Sequence, residues 1–382
     1  LFETEEQNAT TDTHVSATPK DYTGFTYDGT VDGTVTEGNV AGDGSLVLKL
    51  YYTRDSYKVT YQYTGKVPTG ASELPAETTE KYGAAVTVAA DATAPGYTFS
   101  GWSREDGFTM PAENVTITGS FTANGETPYK VEHWQQNLED DGYTLAETEN
   151  LTGETDTTAT ANPKTYTGFA FDGTAEGTVA SGNIAGDGSL VLKLYYTRNS
   201  YDVAYAYTGT VPTGASALPE KATVKYGAPV TVAEAATAPG YTFSGWSRND
   251  FTMPAENVTI TGSFTANSNT EYTVRHHFQN ILDDAYDADT AMLSETLSGT
   301  TDTLTAAAAK TVAGFTAQSF QQKNIAGDGS TVVDIYYNRN SYTVTYAVTG
   351  TVDPNPNYKQ ADYRFGQNVA AEAAAAKAGY DF

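Results

Sequence analysis

Hydrophobic and polar residues alternate in short runs along this chain, and the runs return. In residues 46–53, Leu46, Leu48, Leu50 and Tyr52 fall on one face and Val47, Lys49, Tyr51 and Thr53 on the other. A period of two predicts a strand with one buried face. The alternation recurs as Leu190, Leu192, Leu194 and Tyr196, and as Thr331, Val333, Ile335 and Tyr337. A second recurring strand places Tyr57, Val59, Tyr61 and Tyr63 inward; its copies are Tyr201, Val203, Tyr205, Tyr207 and Tyr342, Val344, Tyr346, Val348. The run ENVTITGSF, residues 113–121 and 256–264, predicts one closing strand. Helical signal is weak. The Ala-rich residues 370–377 have helical propensity, but their counterparts starting at Thr87 and Thr231 open Thr-Val and run on to a Pro, which predicts a strand running into a loop. At most a short helix is expected over 156–161.

The strands belong to a longer period. NVAGDGSLVLKLYYTRDSY (residues 39–57) returns as NIAGDGSLVLKLYYTRNSY (183–201) and as NIAGDGSTVVDIYYNRNSY (324–342). A fixed period of this kind marks a repeat array. Two repeat types alternate. The A repeat occupies 126–199 and 269–340, with a partial copy lacking its opening strand at 1–55. The B repeat occupies 56–125 and 200–268, with a partial copy at 341–382. Each is about 70 residues, near the lower limit for a fold without staples, so neighbour contacts are expected to contribute to stability. Arg54-Asp55-Ser56 and Arg198-Asn199-Ser200 leave no slack between A and B. Gly125-Glu126-Thr127-Pro128 and Ser268-Asn269-Thr270-Glu271 are longer, which predicts that the B-to-A joint is the more mobile one. The expected fold class is all-β: small domains in tandem, an elongated string of beads.

Composition narrows the function. Forty-seven Asp and Glu against 21 Lys and Arg give a formal net charge of −26. Nucleic-acid binding needs basic clusters, so nucleic acid is excluded as an expected partner, and an anionic membrane surface with it. The surplus charge keeps copies apart, so a monomer is expected. Twenty-eight Tyr with many Thr and Val is a β composition. There is no Cys, against the disulfide habit of small animal secreted domains. No apolar run reaches 18 residues, so no membrane insertion is expected in this segment.

Candidate chemistry is sparse. AGDGS lacks the spacing and the Lys of a phosphate loop, and one Asp supplies too few oxygens for calcium. A tight turn before a core strand explains it. Glu139-Asp140-Asp141 and Asp283-Asp284 read as solvated hairpin turns, with weak calcium binding the alternative. Neighbours on a strand point oppositely, so one residue of the pair His133-Trp134 faces the core. His276, His277 and Phe278 stand there in the next A copy. Zinc needs three or four convergent ligands, which this inventory does not supply; no cofactor or metal is expected. Trp134 and His277 are the candidate ligand contacts, because an aromatic beside hydrogen-bond acceptors can hold a sugar or a peptide. Trp102 and Trp246 read as core. Four His with no recurring Ser and acid, and no G-x-S-x-G, leave nucleophilic catalysis without parts. Acid pairs on variable loops do not make a glycosidase cleft. Lys49 and Lys193 lie on an outer strand face and Lys193 becomes Asp334, which speaks against an isopeptide bond. The sequons at Asn8, Asn114 and Asn257 read as strand chemistry. No enzyme is expected.

The A repeat resembles the MucBP-type repeats of Gram-positive surface proteins. The likeness rests on YKVEHW, Gly142-Tyr143, LTGETDTT (151–158), Gly168-Phe169 and the closing LKLYYT. The B repeat is similar to the repeats of Listeria internalin-type and Bacteroides surface proteins, through GYTFSGWS (96–103, 240–247) followed by MPAENVTITGSFTAN. It departs from that pattern where Phe121 and Phe264 replace a final Trp. The resemblance implies β-grasp (ubiquitin-like) domains in a secreted protein anchored in a Firmicutes cell wall. It implies a stalk that projects a distal head, with host mucin or glycan as the partner of any A repeat that binds directly.

Overall fold

A computed structural model describes residues 1–347, 360–374 and 378–381. The chain divides into two compact units, Leu1–Arg198 and Asn199–Phe382. Among the described residues every regular element is a strand.

In the first compact unit, the complete A repeat is built on its opening strand, Thr127–Gln136. This strand lies inside a four-stranded sheet. It pairs antiparallel with the second strand, Tyr143–Gly153, and parallel with the last, Val191–Arg198. The last strand also pairs antiparallel with Phe169–Phe171. A parallel neighbour cannot be reached by a tight turn. The long crossover supplies a small two-stranded pair, Thr158–Thr160 with Ser181–Asn183, that covers one face of the sheet. Residues 156–161 are therefore turn and strand, with no helix. Val131, Leu192, Leu194 and Tyr196 point into this layer and are buried with Ala159, Ala161 and Ile184. Each fully buried Leu contributes about 1.5–3 kcal/mol over an exposed one. The other sheet face meets solvent, as antiparallel-rich sheets allow.

The partial A copy shows what the opening strand does. Only Tyr52–Arg54 of its last strand is regular, paired with Phe25–Tyr27. Leu48, Leu50 and Tyr52 are half-buried, where Leu192, Leu194 and Tyr196 are fully buried. The alternation predicted from 46–53 is present in the burial pattern, but the strand is short because its parallel partner is absent.

In the B repeat of this unit, Ser56–Tyr63 pairs antiparallel with Thr78–Lys81 and parallel with Val115–Gly119. Val59, Val86, Met110, Val115 and Ile117 form its core. The predicted closing strand over 113–121 is in fact two. It breaks at Ser120 and resumes as Phe121–Ala123, paired with Tyr97–Phe99 in another sheet. Gly119 makes room for the break, since a Cβ there would lie 2.3 Å from the Phe99 ring. Trp102 leans on the core and stacks on Tyr63 at 5.8 Å, within an aromatic group completed by Phe99 and Phe121. The strand expected to start at Thr87 is absent: Ala85–Val86 precedes it, and residues 87–93 are loop.

The second compact unit repeats these arrangements. Ser200–Tyr207 lies between Ala222–Lys225 and Val258–Gly262. Thr270–Phe278 lies between Leu293–Gly299 and Val332–Arg339, with Phe315–Ala317 outermost. In the last B copy, Ser341–Val344 pairs with Ala361–Arg364. Tyr342, expected inward, is 53% exposed; among the described residues its strand pairs with Ala361–Arg364 alone. Val348 and residues 375–377 of the Ala-rich run lie outside the described residues.

Candidate functional site

The outer face of the A sheet carries both sequence-predicted ligand residues. Trp134 stands opposite Tyr195, and His277 opposite Tyr336, at the same register of successive A repeats. Trp134 is half-buried and stacks on Tyr195 with ring centroids 6.2 Å apart. The Lys193 ammonium sits 5.8 Å from its centroid, and its indole N–H donates to Glu132 at 3.1 Å. His277 stacks on Tyr336 at 4.7 Å. Its Nδ1 meets Asp287 at 2.6 Å and its Nε2 meets Asp334 at 2.8 Å. Burial opposes a charge on His277, but the two carboxylate hydrogen bonds outweigh it and raise its pKa above the ordinary value. Both residues thus already have polar partners. Lys193 has its own, an ion pair with Glu132 at 3.8 Å. Its replacement by Asp334 is matched across the strands, where Arg275 stands in place of Glu132. The two charges are therefore exchanged across the strands, although Asp334 bonds His277.

A shallow depression of about 430 Å³ lies at the hairpin end, lined by Gln135, Gln136, Asn137, Asp140 and Thr144 among others. One carboxylate of the acidic turn there is satisfied from within the turn. Asp140 accepts from Asn137 Nδ2 at 2.8 Å and from the Gly142 N–H at 2.7 Å, which holds its carboxyl below the usual range. Among the described residues no group of three or more His, Asp or Glu is arranged to hold a metal ion.

Beneath the outer face lies a polar group that sequence reasoning missed. His133 is the core-facing member of its pair, with no exposed surface. Its Nδ1 meets the Tyr196 hydroxyl at 2.9 Å and its Nε2 meets Glu149 at 2.6 Å. The hydrogen bond to His133 holds the Glu149 carboxyl below its usual range. Tyr196 Oη also accepts the Lys164 N–H at 2.9 Å, and Lys164 Nζ pairs with Glu147 and Glu149. The next A copy repeats the His, Tyr, Glu and Lys contacts with His276, Tyr337, Glu295 and Lys310, but Leu293 stands in the place of Glu147. The signal was available: these four residue types recur at matched positions of both complete copies. The group joins three strands and the crossover; His133 and Tyr196 are sealed, while Lys164 and Glu147 reach the surface. In the partial copy, which lacks the His, Lys20 pairs with Glu3 and Glu5. There Tyr22 donates to Glu3 at 2.5 Å, and that bond pushes its pKa up to about 12.

The joints are the most specific constructions on the chain. At the B-to-A joint of the first compact unit, the turn Pro95-Gly96-Tyr97 meets the turn Ala185-Gly186-Asp187. A Cβ on Gly186 would lie 2.0 Å from the Pro95 carbonyl oxygen, and one on Gly96 would lie 2.3 Å from Gly186 Cα. Thr155, 2% exposed, donates its N–H to the Asn124 carbonyl at 3.0 Å and its Oγ1 to the Gly96 carbonyl at 2.8 Å. Asp156 accepts from Tyr97 Oη at 2.5 Å and pairs with Lys66 at 2.6 Å. The expectation of a mobile B-to-A joint is corrected: the second half of each linker, Thr127-Pro128 and Thr270-Glu271, begins a strand, and the backbones of the two repeats touch. The GDG motif combines two needs. Gly188 turns with φ +74°, as predicted, whereas Gly186 permits close approach. The A-to-B joint is also packed. Arg54 Nη1 donates to the Tyr82 carbonyl at 2.7 Å, and the Tyr82 ring occupies the space over Gly24.

The divergent InlB B-repeat domain family matches residues 57–125 and 205–268, so two segments of the chain are similar to that repeat. A solved structure of Streptococcal High Identity Repeats in Tandem (SHIRT) domains 3-4 from a cell surface protein is 15% identical. It matches over 36% of this chain and 96% of its own, with a TM-score of 0.16. No curated protein matches this chain. The chain is a tandem array of all-β repeats, two of which resemble the internalin B-repeat.

Proposed function

We propose that this chain is the non-catalytic repeat region of a bacterial surface adhesin, holding a distal binding domain away from the wall of a Gram-positive cell. The observation that carries the reading is the packed joint, repeated with the same atoms where one β repeat follows another. A catalytic protein concentrates its construction around one cleft; here it is spent on fold and joints. The order second-first-last-third with a parallel central pair supports a β-grasp-like A repeat of the MucBP type. Six units, A and B alternating, would span on the order of 150–200 Å if arranged end to end. Small-angle scattering of the monomeric chain should give an extended distance distribution, and a near-spherical particle overturns the stalk.

A second reading rests on Trp134, a half-buried aromatic on the outer face. It assigns the A repeats weak, multivalent binding of mucin glycan. Glycan-array binding that Trp134→Ala abolishes would support it. Binding no better than that of a plain acidic control protein would remove it.

A further inference from the structure

We propose that each complete B repeat and the A repeat after it open and close as one cooperative body, coupled through the Pro-Gly-Tyr turn of B and the Thr-Asp and Ala-Gly turns of A. The proposal holds whether or not the array stands on a cell. Its first support is that part of each fold is made by the other. Thr155 belongs to A, yet its buried N–H and hydroxyl are spent on carbonyls of Asn124 and Gly96 at the end of B. Asn124 in turn donates its N–H to Gly96 at 2.9 Å. Opening B leaves the buried Thr155 N–H without its partner and its hydroxyl with Thr127 alone, and an unmade bond at a buried group is costly.

Recurrence is the second support. At the other complete B-to-A joint, Thr301 donates to Asn267 at 3.0 Å and to Gly240 at 2.8 Å. Tyr241 Oη bonds Asp302, and a Cβ on Gly327 would lie 2.0 Å from the Pro239 carbonyl oxygen. The buried threonine pair recurs as well, Thr127 with Thr155 at 2.6 Å and Thr270 with Thr301 at 2.7 Å. The third support is chemical. Backbone meets backbone at the glycines, so the contact has no long side chain that could slide while both repeats stay folded. In a nearest-neighbour array such an interface raises the cost of opening one repeat alone.

Native-state hydrogen exchange of the whole chain tests this. Leu194→Ala weakens the core of the A repeat alone. With the joint intact, it should speed exchange at Leu192 and Val131 in A and, by a comparable factor of about tenfold or more, at Val59 and Ile117 in B. With Gly186→Val added to separate the turns, Val59 and Ile117 should exchange at the same rate with or without Leu194→Ala. Should Leu194→Ala unfold its repeat outright, Leu194→Val gives the same comparison at lower cost, and Thr155→Val loosens the joint without added bulk. Fast exchange confined to A with the joint intact, or equal coupling with the joint blocked, overturns the proposal.

Discussion

His133 and His277 are separated by one register position in equivalent strands, and their surroundings give them opposite roles. His133 is sealed between Tyr196 and Glu149. His277 sits near the surface between two aspartates and over Tyr336. Its pKa is raised on folding, so its charged form is favoured in the folded repeat. That stability is fully present below the unfolded value of about 6.5 and is lost as pH rises through the raised folded value. A denaturant midpoint followed in this repeat should therefore fall across that window, and His277→Asn should flatten the fall. A slope that survives the substitution would show that another group titrates. Burial sets a second residue-scale expectation. Leu194→Ala should cost about 2–5 kcal/mol, whereas Leu50→Ala, at the equivalent but half-buried position, should cost well under half as much by the same unfolding measurement.

At the scale of elements, the alternation in residues 190–196 and 331–337 identified the inward residues correctly, because a period of two is a local property of one strand. What failed was decided by residues distant in sequence. The run 113–121 keeps its alternation across Ser120, so nothing local announces that it changes sheets; only Gly119, cleared for Phe99, marks the place. Gly186 read as a turn residue because its true neighbour, Pro95, lies in the preceding repeat. The candidate residues Trp134 and His277 lie on the outer face, but of the groups that occupy them only Glu132 is a near neighbour on the same strand; Tyr195, Tyr336 and Asp334 come from the last strand and Asp287 from the hairpin loop. Lys193 and Asp334 lie on the outer face, and only the strand register shows that Glu132 and Arg275 stand opposite them. That swap can be measured. Glu132→Arg alone should place like charges opposite each other and destabilise the repeat. Adding Lys193→Asp should recover about 0.2–1 kcal/mol of pairing, read from a double-mutant cycle of unfolding free energies. Strict additivity would mean that the pair contributes nothing.

For the molecule as a whole, a net charge of −26 is the dominant long-range property. Light scattering at about 10 mM salt should report strong mutual repulsion. The repulsion should weaken as the Debye length contracts from about 30 Å to about 8 Å near physiological ionic strength. Attraction at low salt would contradict a chain built to remain apart from its copies. The paired glycines at the B-to-A joints carry a further consequence, for how such a gene grows. The two halves of that joint are carried by different repeat types: a Pro-Gly-Tyr turn on one, a Thr-Asp and Ala-Gly face on the other. Loss of a single repeat would bring two like ends together with no matching half. Recombination that keeps the protein folded must therefore add or remove B and A together, and the allowed lengths of the array are quantised in steps of two.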